Sequence, residues 1–405
     1  MERTYPKITV TKKCERFIKS GHIWVYCDEI ISVDGHYENG DIVDVYTDRG
    51  RYLGSGYIND HSKIRVRIIS KNANDRFDRD FYKRRIEYAI DYRIAVMGED
   101  FSCCRLIFGE ADSFPGLTVD RFDTILVAQV LSLGTERIKD MLFSLLREAL
   151  YDRGVVISAI YERNDVKIRE LEGLTQYKGF YRAEGLSDDL EGVVRIKENG
   201  IFYDVDYIEG QKTGFFLDQK YNRMAIRKIS KGRRVLDCFT HTGAFALNAA
   251  VAAEHVTAVD ISDTALAMAK HNASLNGFEN IDFVEANVFE LLTEMAQKKQ
   301  KDYDMIILDP PAFTKSRSTV KEAIRGYKEI NLKAMRLLPR GGYLATCSCS
   351  HFMTDELFRK MLFSAAQDAG VSLRQIECRQ QASDHPILWG VEETDYLKFY
   401  IFQVV

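Results

Sequence analysis

No run of apolar side chains in this sequence approaches the ~20 residues that a helix needs to cross a bilayer, so a membrane-embedded helical protein is excluded. The opening Met1-Glu2-Arg3-Thr4-Tyr5-Pro6 contains no apolar signal region, so a cytoplasmic protein is expected rather than a secreted one. Cysteine is scarce: eight in 405 residues cannot form a disulfide framework and should stay reduced in the cytosol. Nor do they sit at metal-binding spacing. Cys103 and Cys104 are adjacent, Cys347 and Cys349 lack a matching second pair, and no metal site is expected. An excess of positive charge is also missing. With a net charge of −4, the chain has no global attraction for a polyanion, and binding nucleic acid would need local basic faces.

What is present is ordinary globular material. Apolar residues at 46% and charged residues at 29% permit a large core, and 405 residues imply two or three domains. Over the first ~70 residues, Lys7-Ile8-Thr9-Val10, Asp41 to Tyr46 and Ile64 to Ile69 alternate apolar and polar, the period of half-buried strands. Asn39-Gly40, Arg49-Gly50 and Gly54-Ser55-Gly56 are turns. With Gly21-His22-Ile23-Trp24-Val25-Tyr26 between them, the arrangement resembles a PUA module, a small β-barrel found in RNA-modifying enzymes. Arg65 and Arg67 are expected on a solvated strand face. An amphipathic helix follows within residues 72–99, carrying Phe81, Arg85, Tyr88 and Tyr92 three or four apart. A strand from Thr124 to Gln129, a helix from Thr135 to Asp152 and a strand from Val155 to Glu162 predict an α+β domain. The expected division is 1–72, 73–188 and 189–405.

From about Lys231 onward, strand and helix patterns alternate regularly, implying a mostly parallel sheet with helices on both faces. Ligands of such sheets bind beyond the carboxyl ends of the strands. Asp237 ends the first strand, and Thr240 to Gly243 turn into a helix. Only Gly243 is glycine there, with Thr240 and Thr242 as small partners, so the G-x-G-x-x-G approach to a dinucleotide is disfavoured. Asp260, about twenty residues on, ends the next strand and can accept both hydroxyls of a ribose. Asn287 closes the third strand, where its amide oxygen can accept a bond from an adenine amine.

Upstream, Gln211-Lys212-Thr213-Gly214-Phe215-Phe216-Leu217-Asp218-Gln219-Lys220, then Tyr221-Asn222-Arg223, is similar to a signature of S-adenosylmethionine-dependent methyltransferases that modify large-subunit ribosomal RNA. The resemblance spans essentially the whole chain. It implies a PUA-like β-barrel, an intermediate α+β domain and a Rossmann-like class I methyltransferase sheet, hence an α/β catalytic domain. It implies S-adenosyl-L-methionine as cofactor and places Phe216, Asp218, Gln219 and Arg223 near the methionine end of that donor. Large-subunit ribosomal RNA is the implied partner. No membrane partner is expected, and a homodimer is allowed by a sequence that leaves the oligomeric state open.

Two later segments carry the chemistry. Asp309-Pro310-Pro311-Ala312-Phe313 is a stiff loop in which Asp309 can hold a base edge and Phe313 can stack on the ring. Alone, that loop suits methylation of an exocyclic amine. The cysteines of Thr346-Cys347-Ser348-Cys349-Ser350 suggest carbon chemistry instead. A thiolate added at C6 of cytosine makes C5 nucleophilic enough to take a sulfonium methyl. Periodicity does not choose between Cys347 and Cys349; the resemblance places the nucleophile in Ser348-Cys349-Ser350. The base that removes the C5 proton is not evident. Lys315, Ser316 and Arg317 are candidate phosphate contacts, and His385, in Asp384-His385-Pro386, reads as a loop histidine held by local hydrogen bonds.

Overall fold

The computed structural model describes residues 3–405. Packing divides the chain into two compact units, each assembled from separated stretches. The first holds residues up to Ile196 with Val205–Leu217 and Ser383–Thr394; the second holds Lys197–Asp204, Asp218–Ala382 and Asp395–Val405.

The first unit contains two sheets. One has six strands, in the order Trp24–Tyr26, Ile64–Ser70, Tyr52–Ile58, Ile42–Thr47, Lys7–Val10, Ile30–Asp34. Alternate side chains Ile8, Val10, Val43, Val45, Val66 and Ile68 share one core, as period-two patterning requires. Strand alternation did not reveal the helix Lys12–Lys19, which adds Cys14 and Ile18 to that core. Thr11 caps it, its hydroxyl accepting from the Cys14 N–H. Arg67 does not sit on a solvated face. It is buried to 13% exposure and donates to Glu172 at 2.8 Å. The second sheet supplies the reason: this unit folds the loops of a five-stranded sheet over that face. Its order is Tyr177–Phe180, Ala159–Asn164, Ile125–Val130, Leu117–Phe122, Cys103–Phe108. The helix expected from Thr135 to Asp152 is two, Leu133–Arg137 and Lys139–Tyr151, broken where Ile138 takes φ −117° and ψ 8°.

The stretch Ser383–Thr394 joins this unit through Asp384. Its carbonyl accepts from Arg93 Nη2 at 3.0 Å, and its Oδ2 accepts from the Arg105 N–H at 2.8 Å. Buried His385 sits with Nδ1 2.9 Å from Asp384 Oδ1 and its ring beside Phe108.

The second unit is built on seven strands, labelled in chain order: β1 (Arg234–Cys238), β2 (His255–Asp260), β3 (Ile281–Glu285), β4 (Met305–Leu308), β5 (Tyr343–Ser348), β6 (Leu373–Arg379) and β7 (Lys398–Val404). Their spatial order is β3-β2-β1-β4-β5-β7-β6, with only β7 antiparallel to its neighbours. The central strands are nearly continuous apolar runs because helices cover both faces. Leu236, Cys238, Ile306, Leu308 and Leu344 point into one core, with helices Val288–Gln297, Val320–Leu337 and Asp355–Ala369. Val235, Met305, Ile307, Ala345 and Cys347 point into the other, with helices Lys220–Ser230 and Ala244–Ala250. Strand order reverses between β1 and β4, so a crevice opens at their carboxyl ends, where Cys238 is in register with Leu308 and Leu308 with Thr346.

Candidate active site

The loop leaving β1 has an unusual backbone. Phe239, His241 and Gly243 all have positive φ, at 64°, 52° and 83°. Two non-glycine residues in that region store strain, which persists only where surrounding structure enforces it. Gly243 has a second reason to lack a side chain: a Cβ there would lie 2.8 Å from Leu247 Cδ1 and 3.0 Å from Ala269 Cβ. Asp260, at the end of β2, fixes the loop by accepting the His241 N–H at 2.8 Å through Oδ2. Its Oδ1 accepts from the Ser262 N–H at 3.0 Å. Each oxygen keeps a second lone pair, and the residue is half-buried, so ribose hydroxyls remain acceptable partners.

Asp237 is fully buried beneath this loop. Thr240 donates its hydroxyl to Oδ2 at 2.6 Å, while Oδ1 has no hydrogen-bond partner. Burial, augmented by the charge of Asp309, pushes its carboxyl up to about 8. In the unfolded chain it ionises near 4. The folded state therefore binds the extra proton between those values, and stability falls as pH rises from about 4 to about 8. Asp237→Asn removes that titration. Denaturant midpoints of the two proteins at pH 5, 6.5 and 8 should diverge in favour of the asparagine form with rising pH. A constant difference would refute the assignment.

Thr242, half-buried, offers its carbonyl to Asn272 Nδ2 at 3.4 Å. Asn287 caps the helix Val288–Gln297, with Oδ1 accepting the Phe289 N–H at 2.9 Å. One lone pair of the oxygen expected to meet adenine is thus already engaged.

The residues Asp218, Gln219 and Arg223 fall on the entry to helix Lys220–Ser230, but their environments differ. Gln219 converges with the loop after β4. Its Nε2 donates to Asp309 Oδ1 at 3.1 Å and to Cys347 Sγ at 3.4 Å. Cys347 donates its thiol to the same Asp309 oxygen at 2.8 Å. Burial, with the nearby Asp218 charge, pushes Asp309 up to about 6, although the thiol's hydrogen bond opposes the shift. Asp218 accepts from the Tyr396 hydroxyl at 2.6 Å. Arg223 directs Nε and Nη2 to the two oxygens of Glu198, both at 2.7 Å, and both residues are buried. Phe216 lies in the first unit, half-buried, with the Lys212 ammonium 4.7 Å from its ring centroid.

The two cysteines are unlike each other. Cys347 is the penultimate residue of β5 and is buried, and its thiol is raised well above the ordinary range by burial and then by Asp309. Cys349 lies just past the strand and is partly exposed. Ser348 and Ser350 on either side are buried, held by the Tyr327 hydroxyl at 3.0 and 3.1 Å. Phe313 is not free to lie on a base: its ring packs 4.5 Å from that of Tyr327 and 5.7 Å from that of Phe289. Lys315 and Arg317 are exposed on the following loop.

Sequence reasoning passed over Lys398. It opens β7 directly across from Ser348 and is only 6% exposed. The one signal for it was a lysine at the head of a strand that is then apolar as far as Phe402.

The residues present fit S-adenosylmethionine: a strained loop closed by glycine, a strand-end acid for a ribose, and a buried carboxylate oxygen without a partner. Among the described residues, no cluster of three His, Cys, Asp or Glu could hold a metal ion, and no helix is long and apolar enough to cross a membrane.

Comparison with known proteins agrees with this geometry. Residues 8–71 match a PUA-like domain, and residues 109–402 match an S-adenosylmethionine-dependent methyltransferase domain. A solved putative S-adenosylmethionine-dependent methyltransferase from Streptococcus mutans shares the fold, with a TM-score of 0.81 at 22% identity over 98% of this chain and 100% of that one. The Ribosomal RNA large subunit methyltransferase I of Aeromonas salmonicida is 40% identical, covering 96% of this chain and 97% of the relative. The protein of that name from Klebsiella pneumoniae is 36% identical over 99% of both. With a matching domain across most of its length and relatives this similar from end to end, the chain belongs to the S-adenosylmethionine-dependent methyltransferases, in the Ribosomal RNA large subunit methyltransferase I family.

Proposed function

We propose that this enzyme methylates C5 of a cytidine in large-subunit (23S) ribosomal RNA, with Cys349 as the covalent nucleophile. The observation that carries the reading is the contrast in access at the end of β5: Cys349 is partly exposed, whereas Cys347 is sealed in the core. The substrate class follows from the relatives' name and from the PUA-like domain at residues 8–71. The reading keeps three parts, 1–72 binding RNA, 73–188 an intermediate α+β domain and 189–405 performing transfer, and places the action in the cytoplasm.

Asp260 would hold the ribose of the donor, Asn287 its adenine, and Thr240, Thr242 and Gly243 the loop against which it lies. Asp237, Asp218 and Gln219 would surround its methionine end, with Arg223 bracing that wall through Glu198. When bound, S-adenosylmethionine supplies an electrophilic methyl, and its sulfur leaves as a neutral thioether. The target base leaves its stack to reach the crevice. Asp309, whose carboxyl burial raises to about 6, holds the N3 and amino edge of cytosine and promotes addition to the ring. The Cys349 thiolate bonds to C6, and the electron pair displaced onto C5 forms the new carbon–methyl bond. A base then removes the C5 proton; the C5–C6 double bond re-forms and the carbon–sulfur bond breaks, releasing the thiolate.

Methylation of an exocyclic amine, the other chemistry suited to the Asp309 loop, is disfavoured because Phe313 is packed on Tyr327. Product analysis decides. Ribosomal RNA from cells lacking the protein, methylated by the purified enzyme and digested to nucleosides, should yield labelled 5-methylcytidine. Label in an N-methylated nucleoside would overturn the proposal.

A further inference from the structure

Lys398 is a buried ammonium without a carboxylate partner. Its Nζ donates to the carbonyls of Ser350 at 2.7 Å and Tyr396 at 2.8 Å, and among the described residues it makes no ion pair and no third hydrogen bond. Burying a charge is costly unless something compensates it, and two neutral carbonyls do so only in part. Position supplies the missing partner. Antiparallel pairing sets Lys398 opposite Ser348, and one carbonyl that its ammonium grips belongs to Ser350, so the lysine is tied on both sides to the turn that carries Cys349.

We propose that Lys398 is a positioning residue that serves as the counter-cation of Cys349, holding that side chain as thiolate. The inference rests on the reading of Cys349 as nucleophile and adds how it is activated. A cation beside a thiol favours the ionised form, which is the reactive one. Other groups around the ammonium suit that task less well. Cys347 is committed to Asp309, and Asp355, at the start of the helix Asp355–Ala369, holds the Tyr400 hydroxyl. Asp395, on the approach to β7, accepts from Gln380. Tyr327 faces the same turn from its own helix and is occupied by the two serines; His351 lies two residues beyond Cys349. Burial lowers Lys398 to about 8, with Cys349 the strongest opposing influence, so the cation persists at neutral pH.

The test is thiol reactivity, measured on the full chain without RNA. Brief iodoacetamide exposure from pH 6 to 10, followed by peptide mass spectrometry, gives the midpoint for alkylating Cys349 alone. In the unaltered protein it should lie below the ordinary thiol value of about 8.5. Lys398→Met should raise it by about one unit, cutting the rate at pH 7 about tenfold, while Lys398→Arg keeps it near the original. Methyl transfer by Lys398→Met should lose kcat with little change in KM for the donor and recover as pH rises. Equal midpoints with and without Lys398 would overturn the proposal. So would a midpoint at or above the ordinary thiol value in the unaltered protein, a result that needs no variant to fold. If Cys349→Ser still transferred methyl while Lys398→Met shifted alkylation, the pairing would stand and the nucleophile reading would fall.

Discussion

Cys349→Ala should abolish methyl transfer, by about a thousandfold or more, equivalent to about 4 kcal/mol of barrier. Donor binding, measured by calorimetry, should stay within a few-fold. The argument is one of access and charge. A nucleophile must reach C6 of a ring that enters from solvent, and Cys349 is the cysteine of β5's end that solvent touches. Cys347 is buried, and its proton is held by Asp309 at 2.8 Å. Cys347→Ala should therefore cost at most about tenfold, through loss of that bond to Asp309. The opposite pattern, a dead Cys347 variant beside an active Cys349 variant, would transfer the role to the inner sulfur.

The second large effect is on stability. Glu198→Gln leaves the Arg223 cation buried with a neutral partner and should cost about 3–5 kcal/mol in urea unfolding. Removing both charges, Glu198→Leu with Arg223→Met, should recover most of that loss, because the desolvation cost of the pair disappears with it. Donor affinity separates two roles for Arg223. As a brace, the double variant binds S-adenosylmethionine nearly as well as the original protein. As a direct ligand of the methionine carboxylate, it would lose affinity by more than tenfold even where stability recovers.

Much of the catalytic half was legible because local pattern and strand-end chemistry agree. Runs such as Met305-Ile306-Ile307-Leu308 announce strands buried on both sides, and Asp237, Gly243, Asp260 and Asp309 fall at their ends. What escaped was partner choice across long separations. Nothing local says that Arg223 meets Glu198, that Phe313 packs on Tyr327, or that Arg67 is covered by Glu172 from a connection between strands of another sheet. Exposure failed for the same reason: alternation separates two faces of a strand but cannot say what covers either. The break at Ile138 and the return of Ser383–Thr394 to the first unit are likewise tertiary decisions that propensity does not encode.

The order of strands in the second unit has a consequence for assembly. β7 inserts between β5 and β6, although the chain makes it after both. Until it docks, the strand leading to Cys349 carries a raw edge of unpaired amides, the kind that recruits foreign strands into aggregates. The same docking event delivers Lys398. On the pairing proposed for Lys398 and Cys349, sealing of the sheet and activation of the thiol would coincide, and a half-finished molecule would be sticky and chemically inert at once.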